Sequence, residues 1–100
     1  MKVYSVVLFP TAQSDFEDIF KFIELFDPEG AEQSFERFFT RIDTLTTSPE
    51  SYAYAKDPQL RLRGYRVLPV ENHFALFVIN EDKVEIHRIL FARRHYEHFL

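Results

Sequence analysis

The chain has 100 residues, 46% of them hydrophobic and only two of them glycine, which predicts one folded domain over residues 1–100 and excludes a disordered protein. It contains no cysteine, which excludes both a disulfide framework and a thiolate metal site. The net charge of −4 divides unevenly: residues 1–50 carry four Lys or Arg against ten Asp or Glu, and residues 51–100 carry eight against six. Any basic surface therefore belongs to the second half of the chain.

Residues 3–9 are largely apolar at both alternating sets of positions, which predicts a first strand that is buried on two faces or lies inside a sheet. The stretch contains Ser5 and stops at Pro10, so it is too short for a membrane span or a signal sequence. We therefore expect a cytoplasmic protein with no membrane partner.

Two amphipathic helices are predicted next. Either Thr11 or Ser14 is expected to cap the first, with Glu17 closing a capping box on Ser14. Asp27 and Pro28 are expected to open the second, which ends near residues 46–49. Their apolar stripes comprise Phe16, Ile19, Phe20, Ile23 and Phe26, and Ala31, Phe35, Phe38, Phe39, Ile42 and Leu45. The short connection between them predicts an antiparallel helical hairpin.

From Leu60 onward the apolar period changes to two, and Gly64 is interpreted as a possible bulge. Further strands are predicted at residues 74–79 and 84–91, with turns at residues 71–72 and 80–83. The predicted fold class is α+β: an N-terminal strand, and a helical hairpin packed on a sheet that a three-stranded antiparallel meander completes. A short C-terminal helix is predicted over residues 92–100.

The sequence contains none of the common signatures of phosphate loops, nucleophile elbows or zinc proteases. A metal site of His87, His95, His98 and Glu97 has loose spacing, so we expect no metal and no other cofactor, and His87 is expected to be a half-buried strand residue. The stronger cluster consists of Arg93, Arg94, His95 and Tyr96, together with Arg61, Arg63 and Arg66 on a strand of the same sheet.

Those residue types suit metal-independent cleavage of RNA. Histidine titrates near neutral pH, arginine holds a phosphate with two hydrogen bonds, and tyrosine stacks on a base or donates a proton. The ordinary alternative is structural, because arginines before a helix also bind its carboxylates and cover an acidic neighbour.

Residues 62–70, the strand at residues 74–79 and the ending at residues 86–96 resemble the C-terminal half of RelE/ParE toxins. The start of the chain agrees, with a strand ending at Phe9 and Pro10 and a helix opened by Ala12, Asp15 and Phe16. The resemblance implies the RelE/ParE fold and the toxin of a bacterial type II toxin-antitoxin pair, a plasmid-stabilisation type of protein. It also implies a cognate antitoxin as partner.

The family divides by activity. The RelE and YoeB branch cuts mRNA in the ribosomal A site, and the ParE branch inhibits DNA gyrase. His95 and Tyr96 are similar to the YoeB ending, Arg66 falls at a phosphate-binding arginine, and Glu50 corresponds to a general base. The leading hypothesis is therefore a ribosome-dependent mRNA interferase, an endoribonuclease acting on ribosome-bound mRNA. A non-enzymatic gyrase inhibitor is the alternative, and an inactive binding module is a third hypothesis.

Overall fold

The protein is a mixed four-stranded sheet with two long helices packed on one face. The computed structural model describes residues 2–92. Its elements are β1 (Ser5–Leu8), α1 (Pro10–Phe26), α2 (Ala31–Asp43), α3 (Pro58–Leu62), β2 (Arg66–Val70), β3 (His73–Asn80) and β4 (Lys83–Phe91). The α+β prediction is confirmed. The predicted C-terminal helix falls mainly on residues 93–100, outside the described residues.

The strand order is β1-β4-β3-β2, so β1 is an edge strand and pairs in parallel with β4 alone. The prediction that it is buried on two sides or lies inside the sheet is wrong. Val7 is exposed, and Val6 and Leu8 are only partly buried. β1 has one neighbour because the meander supplies the only other strands found among the described residues.

α1 begins at Pro10, earlier than the predicted caps at Thr11 and Ser14, and its N-cap residue is Phe9 without a capping side chain. Proline suits the first helical position because the N–H that it lacks would have no partner there. Asp27 Oδ1 accepts a hydrogen bond from the Gly30 N–H at 3.0 Å, so this side chain stabilises the turn before α2. α2 begins at Ala31, so the predicted helix start at Pro28 is wrong by three residues.

Phenylalanines hold the helical hairpin together and against the sheet. Phe16 and Phe20 contact Phe38 with ring centroids 6.2 and 5.3 Å apart, and Phe38 is buried. Burial of such rings is the dominant stabilising term for a domain of this size. The predicted stripes are wider than the surface that the sheet covers, because Phe26, Phe35 and Phe39 remain exposed.

The predicted strand that starts at Leu60 is wrong over residues 60–63, because this stretch belongs to α3 and to the turn that ends it. Asp57 Oδ2 accepts a hydrogen bond from the Leu60 N–H at 3.0 Å, and Pro58 occupies the first helical position. Gly64 is not a bulge: it follows the helix with φ +85°, a conformation that favours glycine. Arg61 and Arg63 therefore do not lie on a strand of the sheet.

The three-stranded meander is confirmed, with turns after β2 and β3 in which Glu71 and Glu81 have positive φ. Its bulge lies in β4, where Phe77 pairs with Ile86 and Leu76 with Arg88, leaving His87 as the extra residue. A second core covers the sheet face opposite the hairpin and consists of Ala55, Leu60, Tyr65, Phe74, Leu76 and Leu90.

Candidate functional site

Arg66 lies on β2 and holds the loop that runs beside this strand. Its Nη1 donates hydrogen bonds to the carbonyl of Tyr52 at 2.7 Å and to the carbonyl of Glu50 at 3.3 Å. Its guanidinium carbon lies 3.9 Å from the centre of the Tyr54 ring. Tyr54 forms an isolated antiparallel bridge with Arg66, which places the two side chains on the same face.

Glu50 lies in a 3-10 turn, Pro49–Ser51, and its carboxylate is held by the first residues of the chain. Glu50 Oε1 accepts a hydrogen bond from Tyr4 Oη at 3.0 Å. This hydrogen bond to the carboxylate, followed by burial, raises the pKa of the Tyr4 hydroxyl. The structure thus brings the predicted pair Glu50 and Arg66 together, but their contact runs through the Glu50 main chain.

The remaining predicted residues divide into two groups. Arg61 Nε donates to the carbonyl of Ala55 at 3.2 Å, and the Arg63 guanidinium lies 5.3 Å from the centre of the Tyr65 ring. Both arginines thus contact residues that flank α3 instead of joining Arg66 on one strand. The other group, which comprises Arg93, Arg94, His95 and Tyr96, lies outside the described residues.

His87 is half-buried in β4, as expected. Its Nδ1 lies 2.7 Å from Tyr65 Oη, its Nε2 lies 3.3 Å from Glu85 Oε1, and its ring stacks on Phe9 at 4.2 Å. These contacts fix the ring within the packed face of the sheet. Within residues 2–92, no three or more His, Asp or Glu side chains are grouped as metal ligands.

Residues 6–96 match the sequence profile of the ParE toxin of type II toxin-antitoxin systems, parDE. The chain belongs to the ParE toxin family. No protein of curated function gives a significant match. This ParE-family chain is also similar in fold to a solved structure described as the chromosomal ParDE TA system from P. aeruginosa, with a TM-score of 0.74 and 20% identity over 91% of this chain and 98% of the other. The RelE/ParE resemblance is thereby confirmed.

Sequence reasoning missed three residues beside Arg66 in this ParE-family toxin: Arg41, Tyr52 and Tyr54. Arg41 Nε donates to the carbonyl of Pro69 at 3.2 Å, and its guanidinium lies 6.0 Å from the centre of the Tyr52 ring. The available sequence signal is Tyr52 and Tyr54, separated by one residue, in a loop without apolar periodicity. Arg41 gives no such signal, because its partner Pro69 is distant in sequence.

The ParE-family toxin also exposes a set of apolar side chains along its helical hairpin. The set comprises Phe22, Leu25, Phe26, Phe35 and Phe39, and Phe22 is 63% exposed. A cleft of about 340 Å³ lies between this surface and the end of β4, with Phe22, Phe26, Phe38 and Phe91 among its lining residues. His73 lies in the same cleft, where burial lowers the pKa of its imidazole, and its buried Nδ1 has no hydrogen-bond partner among the described residues.

No helix among residues 2–92 combines the length and the apolar character that crossing a membrane requires.

Proposed function

We propose that this protein is a type II toxin that inhibits DNA gyrase without cleaving a substrate. The observation that carries the proposal is the match to the ParE toxin profile over residues 6–96. Within the RelE/ParE toxins, the ParE branch is the one that acts on gyrase. The proposal places its action in the cytoplasm, where gyrase and its DNA are found.

The contacts of the predicted catalytic residues Glu50 and Arg66 are consistent with a non-enzymatic role. A general base must present an accessible carboxylate to the proton that it removes. Glu50 Oε1 instead accepts a hydrogen bond from the Tyr4 hydroxyl, and Arg66 Nη1 donates hydrogen bonds to two main-chain carbonyls. Both side chains therefore serve to hold the loop beside β2.

A supercoiling assay tests the proposal directly. Relaxed plasmid is incubated with gyrase, ATP and increasing toxin, and we expect supercoiling to fall with toxin concentration. Relaxation by a type I topoisomerase is the control and is expected to be unchanged. Full supercoiling at a large molar excess of folded toxin would overturn the proposal.

A ribosome-dependent mRNA interferase is the second candidate, and one contact supports it. Arg66 Nη1 lies 3.3 Å from the Glu50 carbonyl, so these two residues are neighbours. In a translation extract, this activity predicts new mRNA 5′ ends within the coding sequence. Intact message in the extract at a large molar excess of folded toxin would remove this candidate.

We further propose that an antitoxin covers the exposed apolar side chains of the hairpin. Contiguous apolar surface on a small protein marks an interface with another chain. Phe22 and Phe26 form one exposed pair, with ring centroids 4.5 Å apart, and Phe35 and Phe39 form a second, 4.6 Å apart. Leu25 is 75% exposed. Induction of the toxin is expected to arrest growth, and co-expression of the neighbouring reading frame is expected to restore it. Unchanged growth would support the inactive binding module instead.

A further inference from the structure

The outer edge of β1 contains a short stretch of main chain that is open for pairing. The Ser5 N–H donates to the carbonyl of Asp82 at 2.9 Å, on the side of the strand that faces β4. In a strand, the N–H and C=O groups of successive residues point to alternate edges, so those of Val6 and Leu8 point away from β4. Within residues 2–92, no other main-chain group pairs with them.

This open stretch is bounded at both ends. The Tyr4 N–H donates to the carbonyl of Thr46 at 2.7 Å, so the 3-10 turn after α2 covers the start of the edge. At the other end, α1 begins at Pro10, which has no N–H to offer. The edge therefore presents four main-chain groups, which are the N–H and C=O of Val6 and of Leu8.

β1 has none of the features that prevent an exposed strand from pairing. Natural proteins protect such edges with charged side chains, with proline or with a bulge inside the strand. β1 contains none of these, and no charged residue occurs between Lys2 and Asp15. Val7, in the middle of the stretch, is 39% exposed. The edge is therefore suited to receive a further strand.

We propose that β1 pairs with β1 of a second copy of this chain, antiparallel about a twofold axis at Val7. In this register, Val6 lies opposite Leu8 of the second copy, and each such pair exchanges two hydrogen bonds. All four open groups of both chains are then satisfied. Val7 lies opposite Val7 of the second copy as a non-hydrogen-bonded pair, in which side chains approach most closely.

The edge fits its own copy in this register better than in the two neighbouring symmetric ones. An axis at Val6 would place Leu8 opposite Tyr4, whose N–H is already bound to Thr46. An axis at Leu8 would place Val6 opposite Pro10, which has no N–H. A twofold interface requires a surface that is complementary to itself, and the open stretch centred on Val7 meets this requirement.

A single cysteine tests the register, because the natural chain has none. Opposite residues of a non-hydrogen-bonded pair have Cα atoms about 4.5 Å apart, a distance that a disulfide spans. We therefore expect Val7→Cys to form a disulfide-linked dimer under mild oxidation, with a doubled mass on a non-reducing gel. Leu62→Cys, at a 90% exposed position on α3, is the matched control. It is expected to crosslink at least about 10-fold more slowly, because no pairing holds its thiols together.

Charge at position 7 tests the pairing without a disulfide. Like charges directly opposite each other destabilise a strand pair, whereas opposite charges stabilise it. By sedimentation velocity, we expect the wild type to dimerise with increasing concentration and Val7→Lys and Val7→Glu each to remain monomeric. An equimolar mixture of the two variants is expected to restore the dimer. Leu62→Lys adds the same charge away from β1 and is expected to dimerise like the wild type.

A wild-type chain that stays monomeric up to about 1 mM would overturn the proposal, since no measurable pairing would then exist. Crosslinking of Val7→Cys no faster than that of Leu62→Cys would also overturn it. So would wild-type dimerisation by a Val7→Lys variant that circular dichroism shows to be folded, because the dimer would then use another surface. The cysteine comparison remains decisive if the charged variants do not fold. These experiments use the toxin alone, so their outcomes are separate from those of the supercoiling assay and of antitoxin binding.

Discussion

Asp15 on α1 binds the guanidinium of Arg88 on β4, with Asp15 Oδ2 2.7 Å from Arg88 Nε and Asp15 Oδ1 3.1 Å from Arg88 Nη2. The same carboxylate accepts a hydrogen bond from the Ile89 N–H at 2.9 Å. β1 pairs with β4 only as far as Ile86, so Asp15 covers the part of β4 that lies beyond the end of β1. This side chain satisfies a strand edge that would otherwise be open to another chain.

Replacement of Asp15 by Ala is expected to lower the free energy of unfolding by about 3 kcal/mol, because it leaves a partly buried Arg88 and the Ile89 N–H without this acceptor. Asp15→Asn keeps an acceptor for the N–H and is expected to cost less. Urea unfolding followed by circular dichroism measures both. Equal stability of the Ala variant and the wild type would show that the carboxylate contributes nothing.

Stability is expected to decrease as the pH falls below about 6.5, the ordinary histidine value. Burial lowers the pKa of His73, so the unfolded chain takes up the proton at a higher pH than the folded chain. The stabilisation is complete above the unfolded pKa and is lost as the pH falls towards the folded pKa, with a slope of at most about 1.4 kcal/mol per pH unit.

His73→Phe is the matched variant for this pH dependence, because a ring is retained beside Phe38 and Phe91. Asp27, Arg37 and Glu71 also line the cleft and are unchanged in the variant. We expect a flatter dependence of the unfolding free energy between pH 7.5 and 5.5. Parallel curves for the two proteins would contradict this prediction.

Asp57→Ala is expected to destabilise the protein by about 1 kcal/mol, because the side chain caps α3 through the Leu60 N–H. Asp57→Ser retains a capping oxygen and should recover most of the loss. If residues 60–63 formed a strand, as the alternation of apolar positions suggested, neither change would affect the unfolding midpoint. Thermal unfolding distinguishes the two cases.

Glu50→Gln is expected to leave gyrase inhibition unchanged within about twofold, because an amide oxygen still accepts the Tyr4 hydroxyl and a non-enzymatic inhibitor needs no base. The measurement is the toxin concentration that halves supercoiling. A large loss of inhibition in a folded variant would contradict this prediction. Cleavage of mRNA by the wild type in a translation extract, abolished in the variant, would favour the interferase instead.

The double change Phe22→Ser and Phe26→Ser is expected to weaken antitoxin binding at least about 10-fold, since hydrophobic anchors dominate such interfaces. Both side chains are more than half exposed in the free protein, so the fold should tolerate the change. Isothermal titration with the purified antitoxin measures the effect. Leu62→Ser, at an exposed position on α3, is the control and should bind normally.

Long periodic segments made the hairpin and the meander predictable, because their apolar spacing extends over many residues. The error at α3 arose where the alternation of Leu60 and Leu62 covers only four residues and the capping by Asp57 prevails. The family resemblance gave Glu50 and Arg66 separate catalytic roles, which stay predictions, and the structure places the two residues side by side. The Glu50 carboxylate binds Tyr4, and the Arg66 guanidinium binds the Tyr52 carbonyl. These contacts join distant parts of the chain, so a sequence pattern does not reveal them.

The parallel pairing of Ser5 with Lys83 joins the first strand to the last described one. During synthesis, β1 has no partner until almost the whole described chain has been made, so the sheet is completed late. A translation product that stops before β4 lacks both the neighbour of β1 and the Arg88 that binds Asp15. Folding of the complete sheet, and with it any toxic activity, is therefore expected only after translation of β4 is complete.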